Sequence, residues 1–151
     1  MPDNKINIKN KKAYFDFEIL EKLIAGMELT GTEIKSIRNG KASLVDSYCF
    51  FENNELWVKG MRISEYEQGS YHNHDPYRER RLLLNRKELN RLEKRVREKG
   101  LTIITLRLFI NDKNLAKLEI ALARGKKEYD KRETIKQKDL QRELDRLGKF
   151  R

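Results

Sequence analysis

Leu101-Thr102-Ile103-Ile104-Thr105-Leu106-Arg107-Leu108-Phe109-Ile110, followed after a short polar break by Leu115-Ala116-Lys117-Leu118-Glu119-Ile120-Ala121-Leu122-Ala123, decides the fold class of this 151-residue chain. Ile104, Leu106, Leu108 and Ile110 alternate with Thr105, Arg107 and Phe109; Leu118, Ile120 and Leu122 alternate with Lys117, Glu119 and Ala121. Successive side chains of a strand point to opposite faces, so this period of two predicts two long strands, each with one face on a core. Just upstream, Asn85 is placed to cap a helix whose Leu89, Leu92 and Val96 face inward, with Gly100 ending it.

Further back, Arg81 to Leu84 reads as a short strand. Ser47 to Glu52 and Glu55 to Met61 are apolar-aromatic runs joined by Asn53-Asn54, a hairpin turn because asparagine tolerates positive φ. Ser64 to Arg80 lacks periodicity and is expected to be a loop; loops of this length in a compact domain are functional or mobile. Nearer the start, Asp16 is expected to cap a short helix carrying Phe17, Leu20, Leu23 and Ile24 and stopped by Gly26. Met27 to Thr30 reads as a strand. Thr32 to Gly40 reads as a second helical turn, capped by Thr32, with Glu33, Lys35 and Arg38 on its polar face. Met1 to Lys12 is polar and basic, and a mobile arm is expected. Short strands with one helix set before the last two do not make a doubly wound parallel sheet. The pattern predicts a mainly β fold with added helices (α+β), a small antiparallel barrel of about six strands, and the oligonucleotide-binding (OB) type is one family with this economy.

Charge is distributed unevenly. The chain has 34 Lys and Arg against 24 Asp and Glu, a net charge of +10. Arg124 to Arg151 carry 11 of the bases and 6 of the acids with few apolar side chains. Burial there cannot offset the roughly 1 to 2 kcal/mol of backbone entropy lost per ordered residue. A folded body, residues 1–125, with a basic tail, residues 126–151, is the expected organisation, and a polyanion such as nucleic acid is the first partner to consider. On a helix, Lys138, Arg142, Arg146 and Lys149 would lie opposite Leu140, Leu144 and Leu147. A solvated helix docked on its own domain, a plain extension and an anionic membrane surface are the other readings of that stripe.

Catalytic patterns are poor. Cys49 is the lone cysteine, which excludes an internal disulfide and a multi-cysteine zinc site, and its place among Tyr48, Phe50 and Phe51 reads as core. His72-Asn73-His74-Asp75 lacks a third well-spaced ligand. Gly125-Lys126-Lys127 lacks the upstream glycine and the hydroxyl residue of a phosphate-binding loop. No enzyme activity, metal or cofactor is expected. With no signal-peptide-like or membrane-spanning run, a cytoplasmic location is expected.

Gly31-Thr32-Glu33-Ile34-Lys35-Ser36-Ile37-Arg38-Asn39-Gly40-Lys41-Ala42, with Asp46-Ser47-Tyr48 after it, closely resembles the signature of the small protein B (SmpB) family. Matches continue in order: Asn73-His74-Asp75-Pro76, Arg80-Arg81-Leu82-Leu83-Leu84-Asn85, Ala121-Leu122-Ala123-Arg124-Gly125-Lys126-Lys127 and Tyr129-Asp130-Lys131-Arg132. The resemblance implies an OB-type barrel with a tail that is disordered when free and helical on the ribosome. It implies binding to the tRNA-like domain of transfer-messenger RNA (tmRNA, or SsrA) and delivery of that RNA to stalled ribosomes for trans-translation, the tail probing the decoding centre and mRNA channel of the small subunit. Alanyl-tRNA synthetase and elongation factor Tu would be indirect partners.

Carried over by motif, Asn10, Lys11, Glu33, Lys35, Arg38, Lys41, Leu83 and Asn85 are the expected tmRNA-facing residues. Lys126, Lys127, Tyr129, Asp130, Lys131 and Arg132, then Lys138, Arg142 and Arg146, are expected on the ribosome side. Glu33 has a plainer reading as a helix-start carboxylate favoured by the helix dipole, and Leu83 one as core. Ile24 departs from the family, which commonly has an acid there; packing in the first helix is its expected role. Two other classes stay open on the residues alone: a barrel protein bound permanently to ribosomal RNA, and a metal-dependent RNA-processing enzyme using His72, His74 and Asp75.

Overall fold

The computed structural model describes residues 6–68, 72–98, 100–126 and 128–148. In chain order the elements are β1 (Asn7–Lys9), α1 (Lys11–Asp16), β2 (Phe17–Met27), α2 (Gly31–Arg38), β3 (Ala42–Ser43), β4 (Tyr48–Glu52), β5 (Glu55–Lys59), β6 (Arg62–Ile63), β7 (Arg80–Leu83), α3 (Arg86–Val96), β8 (Leu101–Ile110), β9 (Ala116–Gly125) and α4 (Glu128–Gly148). The large sheet runs β1-β8-β4-β5-β7-β2-β9, and β9 pairs back onto β8. Six strands thus close a ring, every pairing antiparallel, and the expected barrel is present. Closure removes the open edges that would otherwise template aggregation.

The Asn53-Asn54 turn forms as read, both residues at positive φ (52° and 63°) between β4 and β5. Asn85 caps α3, its side chain accepting a 2.8 Å bond from the Glu88 N–H, and Leu89 and Leu92 are buried in the main core. Cys49 is a buried core residue, and that burial pushes its thiol pKa up. It is core filler rather than a nucleophile.

The first expected helix is instead the long strand β2. Its backbone pairs with β9 from Phe17↔Gly125 to Gly26↔Lys117. The spacing of Phe17, Leu20, Leu23 and Ile24 suits a helix, but Leu20 and Ile24 point outward, at 37% and 52% exposure. Apolar side chains on the outer face hid the period of two. Gly26 therefore ends no helix and Ile24 packs in none. The extended chain stops at Met27 rather than running to Thr30, because Thr30 caps α2 in place of Thr32. Residues 7–9 of the expected N-terminal arm are β1, registered on Arg107 to Phe109 of β8.

β8 also departs from the single-face expectation. Its pairing with β9 shifts between Thr105 and Arg107, and the pairing of β2 with β9 shifts between Ile19 and Glu21. An extra residue in one strand exchanges the faces beyond it. Leu101, Ile103 and Leu108 consequently enter the main core, while Ile104 and Leu106 form a second cluster with Ala13, Ala121 and Ala123, flanked by Phe17 and Ile19. The small side chains of Ala121 and Ala123 leave room for α1 on the outside of the barrel.

Candidate nucleic-acid interface

α2 is fixed at its start by a capping box: the Glu33 N–H donates to Thr30 Oγ1 (3.4 Å) and the Thr30 N–H donates to Glu33 Oε1 (2.8 Å). The same carboxylate, fully buried, accepts from Arg78 Nη2 (2.5 Å) and from Arg80 Nε (2.6 Å). Burial would raise the pKa of Glu33, but the hydrogen bonds from Arg78 and Thr30 and the charge of Arg80 outweigh it and hold the group at about 2. Glu33 is therefore turned inward, not toward a ligand, because two arginines of the long loop and its following strand claim both its oxygens. Nothing local in the sequence marks this, because Lys35, Arg38 and Lys41 are nearer cations along the chain than Arg78 and Arg80.

Arg80 is itself fully buried and donates to the carbonyls of Met61 (2.6 Å) and Pro76 (3.2 Å). His74, also buried, bridges Thr32 Oγ1 (2.9 Å) and the Ile63 carbonyl (2.8 Å). Both its ring nitrogens are thus occupied, and His72 is exposed. These bonds seat the segment from Asn73 to Arg80 on the start of α2, so this part of the expected loop is ordered by polar contacts. Arg78, a residue the sequence reading missed, keeps 36% of its side chain exposed while held by Glu33 and by the Glu28 carbonyl.

Beyond this anchor α2 presents its cations. Lys35 is exposed with its ammonium 5.5 Å from the centre of the Tyr66 ring. Lys41, exposed just past Gly40 (φ 72°), pairs with Glu67 at 2.8 Å. Arg38, also exposed, borders a cleft of about 310 Å³ that Leu83, 46% exposed, lines as well. The structure so brings Arg38 and Leu83 together from positions 45 apart, and Leu83 is not core.

Other expected contacts lie elsewhere or are already engaged. Asn10 is buried, and its amide donates to the carbonyl (3.0 Å) and hydroxyl (3.3 Å) of Thr105, which in turn meets Ser47 Oγ at 2.5 Å. Its side chain holds the start of α1 on β8 and is not displayed to a ligand. Asn85 spends its amide on the α3 cap, with Lys11 exposed at the start of α1.

Lys126 ties the root of the tail to α1, its N–H donating to the Asp16 carbonyl (2.9 Å) and its Nζ to that of Tyr14 (3.2 Å). Tyr129, Asp130, Lys131, Arg132, Lys138, Arg142 and Arg146 all stand on α4. Lys138 lies 5.9 Å from the centre of the Phe15 ring, and Arg132 and Arg142 are exposed. Lys127 and Lys149 lie outside the described residues.

Residues 7–150 match the family model described as SmpB protein. The chain belongs to the SmpB family. Curated relatives described as SsrA-binding protein include those of Phocaeicola vulgatus, 61% identical over 99% of both chains, and Parabacteroides distasonis, 59% identical over 97% of this chain and 95% of the relative. That of Brucella anthropi is 50% identical over 97% of this chain and 92% of its own. The fold matches a chain of the solved structure described as "tmRNA-SmpB: a journey to the center of the bacterial ribosome", with a TM-score of 0.68 and 46% identity over 82% of this chain and 86% of that one. The solved chain thus has the same fold as the barrel assembled here.

Proposed function

We propose that this SmpB-family chain binds the tRNA-like domain of tmRNA through its barrel and delivers that RNA to stalled ribosomes for trans-translation. The observation that carries the reading is near-full-length similarity to SsrA-binding proteins, joined to a fixed cationic helix beside an apolar cleft. Lys11, Lys35, Arg38 and Lys41 anchor phosphates, the sequence-independent part of RNA affinity, while Leu83 offers an apolar surface to an unpaired base. Glu33 serves by positioning Arg78 and Arg80, and Asn10 and Asn85 by fixing the elements that carry their neighbours.

The tail, residues 126–151, faces the ribosome with Lys126, Lys127, Tyr129, Asp130, Lys131, Arg132, Lys138, Arg142 and Arg146. Ile135, Leu140 and Leu144 of α4 are 46%, 59% and 55% exposed, so little burial holds the helix; it unravels when free and is retained on ribosomal RNA. The chain's working place is the cytoplasm, with the ribosomes. Competition binding at physiological ionic strength tests the reading: tmRNA should displace bulk RNA of equal length from the protein. Equal affinity for the two would overturn it.

A further inference from the structure

The end of α2 and the turn after β6 enclose a second, polar cleft of about 230 Å³. Ser36 and Asn39 line it from the helix side, Lys41 from just beyond, and Glu65, Tyr66 and Glu67 from the turn. It is distinct from the cleft that Arg38 and Leu83 line, since Ser36 stands two residues, about 200°, round the helix from Arg38. Backbone bonds hold the turn in place. The Ser64 N–H donates to the Lys41 carbonyl (3.0 Å), the Tyr66 N–H donates to Asn73 Oδ1 (3.1 Å), and Asn73 Nδ2 donates back to the Tyr66 carbonyl (2.7 Å). The backbone that carries both carboxylates is thus fastened beside the helix.

The lining sets Glu65 and Glu67 against Lys41, an acidic balance on a surface whose other cations face outward. Lys41 Nζ donates to Glu67 Oε1 (2.8 Å) and holds that carboxyl below the usual carboxylate range, which leaves Oε2 as an anionic acceptor. Among the described residues neither Glu65 nor the Asn39 side chain has a hydrogen-bond partner. Ser36 is 1% exposed, and no described group answers its hydroxyl. A hydroxyl buried in that way is costly unless a ligand or a water reaches it. These groups restrict what fits. A phosphate would meet two carboxylates, and a metal ion would meet the Lys41 ammonium. A base amino group donates but does not accept, so it would leave the Asn39 amide unanswered. A ribose 2′-hydroxyl both donates and accepts, and it is the group that separates RNA from DNA.

We infer that this cleft recognises one ribose of the bound RNA, its 2′-hydroxyl donating to Glu67 and accepting from the Asn39 amide, so that the chain distinguishes RNA from DNA at this point. Glu67 is then a specificity-determining residue: it accepts from the correct sugar and repels a phosphate set in its place. Lys41 orients that carboxylate. The inference deepens the reading of the chain as a tmRNA-binding protein and rests on it.

The test titrates the full-length protein with a tRNA-like domain assembled by ligation, carrying a single 2′-deoxy residue at each position in turn. With wild-type protein one position should weaken binding about tenfold, the loss of a hydrogen bond to a charged acceptor. In Glu67→Ala and in Asn39→Ala, both exposed changes that should leave the melting temperature unaltered, the same deoxy residue should cost roughly twofold or less. Glu67→Ala should also raise affinity for an all-DNA counterpart severalfold, because a charge facing the phosphates is gone. A deoxy penalty that both variants leave unchanged, or no sensitive position at all, overturns the ribose assignment alone. Coupling of Glu67 to a base amino group instead, seen with inosine in place of guanosine, overturns it too. Failure of the wild type to prefer this RNA over bulk RNA overturns the parent reading as well.

Discussion

A carboxylate without solvent contact keeps its charge only if neighbouring groups replace water, and at Glu33 a backbone amide and two guanidinium groups do so. Its pKa falls from the ordinary 4.5 to about 2. A depressed acid stabilises the fold fully above its unfolded pKa and loses that contribution as pH falls through its folded one, so the relevant window runs from about pH 4.5 down to 2. The linked stability is roughly 3 kcal/mol. Glu33→Gln should therefore lower unfolding free energy at pH 7 by a few kcal/mol, since it leaves Arg80 buried without its counter-charge. It should also flatten the pH dependence of stability across that window; urea titrations at pH 7, 4 and 3 check both. An unchanged pH profile would remove Glu33 from the role assigned to it. The motif placing Glu33 beside Lys35 and Arg38 was legible in the sequence, but its orientation was not, because Arg78 and Arg80 are more than 40 positions away and nothing local ties them to it.

At the scale of elements, turns and caps were readable because their chemistry is local: Asn53-Asn54 requires positive φ, and Asn85 needs only the Glu88 N–H. β2 was not readable, since its pairing with β9 is long-range and its outer face keeps Leu20 and Ile24. The face exchange in β8 was hidden for a related reason. A bulge leaves no mark in an unbroken apolar run, and only the presence of α1 gives Ile104 and Leu106 somewhere to go. Ala121 is fully buried in that second cluster, so Ala121→Leu should overpack it and destabilise the protein by about 1 to 3 kcal/mol, read by chemical denaturation. Wild-type stability in that variant would mean α1 does not pack there. α4 stands at the other extreme. With Leu140 and Leu144 exposed, its amides should exchange hydrogen orders of magnitude faster than those of β8 and β9 in the free protein, approaching unprotected rates; protection equal to the strands would show a helix held by the body.

The whole molecule combines a closed barrel with a concentration of positive charge on α2 and along the tail. Such a distribution makes RNA affinity strongly dependent on salt, each phosphate contact adding close to one unit to the log-log slope. Arg38→Gln together with Lys41→Gln should weaken tmRNA binding and flatten that slope by one to two units, measured by fluorescence anisotropy over a salt series. A slope that stays the same would take both side chains off the phosphates. The division of body and tail rests on charge density in the sequence. The cleft beside Arg38 was not legible there, since Gly26, Arg38, Leu83 and Lys117 meet only after the ring closes. The central claim, that the barrel grips the RNA while the tail acts on the ribosome, is tested most directly by deleting Lys131 to Arg151 and measuring tmRNA affinity beside tagging on reconstituted stalled ribosomes. The expected result is near-wild-type affinity with tagging abolished; loss of RNA affinity, or tagging that survives the deletion, would contradict it.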